Sequence, residues 1–179
     1  MEMLALSLNP KNSYQHFSEE FKLQMYSAFK KLKALGCDYF YFLGTDGEIR
    51  YRFSSQEEWM EIYYSEKFIL NDPLKRIAEK SSWIVFPWNQ VTHQNSHEKK
   101  TMQGRVSYGF YNGLTISRKH LNRQYVLTFA TAIKEHDLAR YLLLEKNKKL
   151  EDVIQYCMQL FNQYLQLMHQ SISIPRIIN

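Results

Sequence analysis

The stretch from Trp59 to Trp88, WMEIYYSEKFILNDPLKRIAEKSSWIVFPW, is the strongest constraint on how this chain can fold. It combines the indoles of Trp59 and Trp88, the adjacent phenols Tyr63 and Tyr64, and the carboxylate of Asp72 in the rigid dipeptide Asp72-Pro73. These directional hydrogen-bonding groups stand in an apolar setting, where leaving them unpaired is costly. With Ser55 as N-cap and Glu58 completing a capping box, the spacing predicts a helix from Ser55 to Glu66 that puts Trp59 and Tyr63 on one face. The residue before a proline is driven out of the helical region, so that helix runs out by Asn71. Pro73 then opens a second short helix to Lys80, and Asp72 stands at the corner, able to cap backbone or turn inward.

An indole N–H only donates, a phenol does either, and an ionised carboxylate only accepts. Together they complement a small neutral molecule that carries carbonyl acceptors beside an amide N–H. The same residues have a plainer use: aromatics at helical spacing form core, and an Asp before Pro caps a helix. Both readings stay open at this point.

The chain around this stretch predicts a sheet covered by helices. Ser18 opens a helix whose apolar positions Phe21, Met25, Ala28, Phe29 and Leu32 follow the 3.6-residue period, with Gly36 as its C-terminal cap. Asp38 to Leu43 is a continuous aromatic run, Thr45-Asp46-Gly47 a turn, and Glu48 to Phe53 alternates, which together make a β-hairpin. Trp83 to Phe86 reads as a short strand and Ser96 to Tyr108 as a helix. Gly113 to Ser117 and Gln124 to Ile133 read as two further strands, joined across Arg118 to Arg123. Helix follows from about Glu135 to Gln170, broken near Lys146 to Lys149. Its second half carries a wide apolar stripe from Leu150 to Met168 that either packs across the sheet or meets a second copy of itself. The expected fold is an α/β (α+β) class α/β/α sandwich with a central antiparallel sheet of about five strands.

At 179 residues, 45% hydrophobic and 15% aromatic, the chain is long and apolar enough for one folded domain. That domain is expected over residues 13–170, between a loosely held segment to Asn12 and a linker or tail over 171–179. No segment approaches a membrane span, and the opening MEMLALSLNPKNS lacks the features of a signal peptide, so the expected location is the cytoplasm. Cys37 and Cys157 have no CxxC partner and read as buried thiols. The net charge of +5 is spread over several lysine and arginine groups rather than gathered into a nucleic-acid footprint. His93 and His97 are spaced i,i+4 but fall outside HExxH and lack a third ligand, so no metal is expected. There is no GxSxG, no phosphate loop and no evident pair of carboxylates for acid–base work, so no enzyme is expected.

Trp59, three residues, Tyr63, eight residues, Asp72-Pro73, then Trp88 after an apolar run and Gly113 in YNGLTI: this ordered set resembles the autoinducer-binding domain of LuxR-type quorum-sensing regulators. The resemblance covers roughly Phe17 to Met168. It implies an N-acyl homoserine lactone held between sheet and helices, with no cofactor. Trp59 would donate to the lactone carbonyl, Tyr63 to the amide carbonyl, and Asp72 would accept from the amide N–H. Trp88 would wall the head group, Gly113 would keep a backbone position uncluttered, and Pro73 would be structural. Tyr64, Leu74, Ile84 and Phe86 would line the acyl chain, and the empty pocket would leave Asp72 wanting a donor.

Ser55 and Tyr41 depart from the family pattern, which often has an aromatic and a small residue there. A bulky Tyr41 would shorten the acyl cavity or add a hydroxyl contact. On the strand Gln124 to Ile133, Thr128 is the expected inward hydroxyl, and a one-residue slip would exchange it for Leu127 or Phe129. The resemblance also implies a homodimer, and binding to DNA only through a helix-turn-helix domain that these residues do not include. The competing expectation is a sensor-fold interaction module that fills its own pocket and modulates another regulator by heterodimerisation. Asp72 capping its own helix, with Tyr41 in the cavity, would favour it.

Overall fold

Alternation of large apolar residues along the strands builds a sheet with two buried faces, in a computed structural model that describes residues 14–172. The elements are β1 (Tyr14–Gln15), α1 (Glu19–Lys33), β2 (Tyr39–Asp46), β3 (Ile49–Ser54), α2 (Glu57–Ser65), α3 (Pro73–Lys80), β4 (Trp83–Pro87), α4 (Ser96–Tyr108), β5 (Asn112–His120), β6 (Arg123–Thr131), α5 (Leu138–Arg140) and α6 (Asn147–Ile172). A 3₁₀ turn over Phe68–Asn71 links α2 to α3, and a π turn over Tyr141–Glu145 links α5 to α6. The six strands lie in the order β1-β3-β2-β6-β5-β4. All neighbours are antiparallel except β1, which runs parallel to β3. The α/β/α sandwich thus carries one strand more than expected, because two residues ahead of α1 add an edge too short to show in the pattern.

Successive side chains of a strand point to opposite faces. Phe40 and Phe42 of β2 and Leu127 and Phe129 of β6 enter one core with Phe21, Met25 and Leu32 of α1 and Ile154, Cys157 and Phe161 of α6. Tyr39 and Leu43 of β2 and Val126 and Ala130 of β6 enter the other, with Trp59, Met60, Tyr63 and Tyr64 of α2 and Leu74 and Ala78 of α3. The stripe of α6 is therefore spent within the chain: Leu150, Val153, Ile154, Cys157, Leu160, Phe161 and Leu165 are buried against the sheet, while Met168 is exposed. Gly44 makes this approach possible, since a Cβ there would stand 2.7 Å from the Phe161 ring.

The helix spans Pro73–Lys80 and Ser96–Tyr108 coincide with their sequence expectation. Differences fall where backbone pairing overrides local signals. Ser55 does not cap α2: its N–H donates to Phe40 O at 2.9 Å and its Oγ accepts from Phe40 N at 2.9 Å, so it closes the hairpin, and α2 starts at Glu57 without a capping box. Thr45 and Asp46 pair with Arg50 and Ile49, which moves the turn to Gly47 and Glu48. Gly47 has the positive φ of 60° that favours glycine there. Gly36, likewise at positive φ, lies two residues beyond the α1 cap at Ala34. The β5–β6 hairpin extends through Arg118 to Arg123: Lys119 and His120 reach solvent at the end of the sheet, while Arg118 stays buried on β5. The last helical region begins at Leu138, capped by Asp137, and is interrupted by the π turn just before the expected break. Helix persists to Ile172; the expected N-terminal segment and the rest of the tail lie outside the described residues.

Cys37 and Cys157 are both buried free thiols, pushed up to about 12 by burial. Among the described residues no helix is long and apolar enough to cross a membrane.

An ion pair fastens α6 to the sheet. Arg118 of β5 donates from Nη1 to Glu151 Oε1 at 2.8 Å and from Nη2 to Oε2 at 2.6 Å. These hydrogen bonds pull the Glu151 carboxyl down to about 2 from an ordinary 4.5. A folded-state value below the unfolded one means the pair stabilises the fold above about pH 4.5 and loses that effect as pH falls toward 2. Glu151→Gln is expected to lower the melting temperature at neutral pH and to flatten the acid decline of stability between those limits. Unfolding transitions measured across that range check it; parallel pH curves for the two proteins would mean that the pair is not linked to folding.

Candidate ligand-binding site

Between the second face of the sheet and α2, α3 and α4 lies a cavity of about 60 Å³. Its wall includes Tyr39, Tyr41 and Leu43 of β2, Trp59, Met60 and Tyr63 of α2, Asp72, Leu74 and Ala78 around the start of α3, and Arg105 of α4. Thr115 of β5 and Val126 and Thr128 of β6 complete the sheet side. The register decides which strand residues arrive here. Tyr41 pairs with Thr128 and Thr115 pairs with Thr128, so all three share the cavity face, while Leu127 and Phe129 point to the other core.

Asp72 is the polar centre. Pro73 at the first position of α3 sets the helix start, and Asp72 Oδ1 accepts from Leu74 N at 3.0 Å as its cap. The second oxygen, Oδ2, accepts from the Tyr63 hydroxyl and from Arg105 Nη2, both at 2.6 Å. The ion pair is deeply buried, with side-chain exposures of 7% for Arg105 and 6% for Asp72. The Arg105 guanidinium also lies 5.9 Å from the Trp59 ring, 5.7 Å from Tyr63 and 5.5 Å from Trp88, within cation–π range of all three. Its Nη1 donates to Met102 Sδ at 3.4 Å, a weak acceptor.

Burial works against the Arg105 cation, but Asp72 and the neighbouring Tyr63 outweigh it and hold the group above its ordinary value. Burial, reinforced by the Asp72 charge, pushes the Tyr63 phenol well above its ordinary value, so Tyr63 remains a donor. Burial likewise raises Tyr39 and Tyr41. The site therefore contains neutral phenols and one internal ion pair.

Trp59, Tyr63, Asp72, Leu74, Tyr41 and Thr128, all expected at a ligand, meet at this cavity. Tyr64, Trp88, Gly113 and Ile84 stand outside its wall. Tyr64 turns toward Tyr14 and the Arg52 guanidinium, and Ile84 is half-buried on β4. Trp88 donates its indole N–H to Thr115 Oγ1 at 3.1 Å, and its ring rests on Gly113, where a Cβ would meet it at 2.5 Å. Gly113 thus makes room for Trp88 itself. The Thr115 hydroxyl reaches Thr128 Oγ1 at 3.3 Å, linking Trp88 to the cavity wall.

One expectation is corrected outright: Asp72 does not want a donor. Leu74, Tyr63 and Arg105 supply three, from α3, α2 and α4. Arg105 is the cavity residue that sequence reasoning missed. Its signal was available, because α4 shows no apolar stripe yet buries Glu98, Thr101 and Arg105, spaced three and four apart. A packed helix without apolar residues on its inner face must bring polar ones with partners. Glu98 finds Arg76 of α3, at 2.6 Å from Nε and 3.0 Å from Nη2, and those bonds hold its carboxyl below its ordinary value. Among the described residues no three His, Cys, Asp or Glu side chains gather to hold a metal.

Comparison with known proteins places this geometry. A family model described as "Autoinducer binding domain" matches residues 26–155. Sequence comparison with curated proteins finds no match. Among solved structures, SdiA of Escherichia coli superposes with a TM-score of 0.61 at 14% identity, over 90% of this chain and 67% of that one. CepR2 of Burkholderia cenocepacia, described as an N-acylhomoserine lactone dependent LuxR family factor, gives 0.52 at 14% identity, over 82% and 96%. SdiA in complex with octanoyl-rac-glycerol gives 0.51 at 12% identity, over 100% and 71%. At such identities these structures share the fold.

Removing Asp72 would strand a buried guanidinium and uncap α3 together. Breaking one side of a buried pair costs about 3–5 kcal/mol. Asp72→Ala is therefore expected to destabilise the protein by that order in urea unfolding, whereas Tyr63→Phe, which removes one of three donors, should cost only about 1 kcal/mol. Equal small losses for both variants would show that the pair is not what holds these helices.

Proposed function

This chain belongs to the autoinducer-binding domain family, whose model matches 130 of its 179 residues (26 through 155), and we propose that it is the ligand-sensing domain of a LuxR-type quorum-sensing regulator. The observation that carries the reading is the convergence of Trp59, Tyr63 and Asp72 on one cavity between sheet and helices, within the matched residues. The ligand is an N-acyl homoserine lactone or a similar small amphipathic signal. Its chain lies against Leu43, Met60, Leu74 and Val126, and its polar head turns to Trp59, Tyr63 and Asp72. Octanoyl-glycerol, present in one of the similar SdiA structures, belongs to the same chemical class of polar head on acyl tail. Binding acts in the cytoplasm, without catalysis, and is coupled to homodimerisation and to DNA binding by a separate helix-turn-helix domain.

A second reading has a specific observation in its favour. Asp72 caps its own helix and already takes three protein donors, Tyr41 stands in the cavity wall, and a site for a drug-sized ligand holds about 300–1,000 Å³, well above the about 60 Å³ seen. That is the pattern of a sensor fold working without ligand, through pairing with another regulator. The first reading requires the cavity to enlarge as ligand enters.

Thermal unfolding with a panel of butanoyl, hexanoyl, octanoyl and decanoyl homoserine lactones, together with octanoyl-glycerol, separates them. A ligand at 100 times its dissociation constant adds about 2.7 kcal/mol of stability. A rise in melting temperature selective for one chain length is the outcome of the sensing reading, and Trp59→Phe should then weaken binding by removing one donor. No rise with any member, from a stably folded protein, would transfer the function to the ligand-free module.

A further inference from the structure

Three polar groups of the cavity are already joined to one another: Tyr63 and Arg105 both donate to Asp72. Tyr63 and Asp72 are the two cavity groups best suited to an amide and its carbonyl, and each is engaged. The Tyr63 hydroxyl donates to Asp72 at 2.6 Å, and the same carboxylate oxygen accepts Arg105 Nη2 at 2.6 Å. The guanidinium fills the space between the Trp59, Tyr63 and Trp88 rings, at 5.5 to 5.9 Å from each centroid. Aromatic faces and an acceptor are what a flat polar head group would use. A planar cation of similar size is using them now.

We propose that Arg105 is the specificity-determining residue of this site, an internal occupant of the head-group position that a lactone-bearing ligand must displace from Asp72 in order to bind. The inference rests on the ligand-sensing reading for its biological meaning, but its chemistry stands on the Asp72–Arg105–Tyr63 geometry. Only the fraction of molecules with Arg105 displaced is open to the head group, and apparent affinity falls by that fraction. The wild-type chain thus answers only to a signal whose remaining contacts exceed this internal competitor. A ligand whose head brings acceptors of its own to the displaced guanidinium is favoured over one that does not.

The test compares wild type with Arg105→Met and with the charge-balanced pair Asp72→Asn/Arg105→Met. Methionine keeps length and packs among aromatic rings, and the pair avoids an unpartnered buried carboxylate. Each protein's own unfolding transition establishes that it folds, and calorimetric titration with hexanoyl, octanoyl and decanoyl homoserine lactone gives affinities. The expected result is at least about tenfold tighter binding of the best lactone by Arg105→Met, corresponding to a displaced fraction below about one tenth in wild type; the pair, whose amide oxygen at position 72 still offers the ligand an acceptor, shows the same direction if Arg105→Met does not fold. If wild type binds a lactone and the folded variants bind it no more tightly, Arg105 is not a competitor and the inference fails while the sensing reading stands. If the variants bind and wild type does not, the inference stands and the wild-type chain is not a lactone sensor. If folded variants bind none, the inference is overturned along with lactone sensing. If the variants bind more weakly, Arg105 is a ligand contact and the inference is likewise wrong.

Discussion

The carboxylate of Asp72 is the joint on which one half of the molecule turns. Its two oxygens take donors from the first turn of α3, from Tyr63 of α2 and from Arg105 of α4. The three helices over the second sheet face are thereby fixed to one another as well as to the sheet. Apolar contact alone is non-directional and would allow them to slide. A shared acceptor with bonds of 2.6 to 3.0 Å sets both their spacing and their rotation. Glu98 and Arg76 repeat the device between α3 and α4 farther from the cavity.

The opposite face is assembled differently. There α1 and α6 lay continuous apolar stripes on Phe40, Phe42, Leu127 and Phe129, and polar bonds from the sheet to α6, Arg118 to Glu151 and Tyr125 to Asn162 among them, stand beside those stripes. One layer is thus held by bulk hydrophobic burial and the other by a polar network with aromatic walls. A buried ion pair contributes little net stability because desolvation offsets its attraction, although losing one partner is expensive. The helices over the cavity are accordingly well specified in position without being the deepest reservoir of stability. That is a sensible division between a scaffold face and a face with chemistry in it.

Much of this was legible in the sequence because the signals were local. Helix spans such as Pro73–Lys80 follow from a proline at N1 and an acidic cap, and the α1 stripe follows from its 3.6-residue period. Trp59, Tyr63 and Asp72 could be placed together because four-residue helical spacing and a proline corner are short-range geometry. What escaped depended on pairing across long sequence distance. Ser55 carries every mark of a helix cap, yet its backbone is claimed by Phe40. Gly113 looks like clearance for a ligand, yet the clearance is taken by Trp88. Arg105 lies 33 residues from Asp72; the missing apolar stripe of α4 hints that polar residues face inward, but nothing local names the partner. The sheet register that sends Thr128 rather than Leu127 to the cavity is likewise set by β2 and β5 together.

These missed contacts share a direction: each is a polar or spatial vacancy that the protein fills from within. A receptor whose binding groups are unsatisfied in the empty state leans on its ligand to fold, since burying them unpaired costs a kilocalorie or more per group. Here Asp72, Tyr63 and Thr115 all have internal partners. With those groups paired internally, a response to a ligand would come from exchange of one set of contacts for another. Such an exchange moves Arg105, and Arg105 is on α4, whose Glu98 is bonded to α3. Displacing the guanidinium therefore removes a bond between α4 and the α2–α3 corner while the Glu98–Arg76 bond still holds the helices together. A head group at Asp72 would act on helix orientation through that asymmetry, with the sheet and its α1–α6 face as the fixed frame.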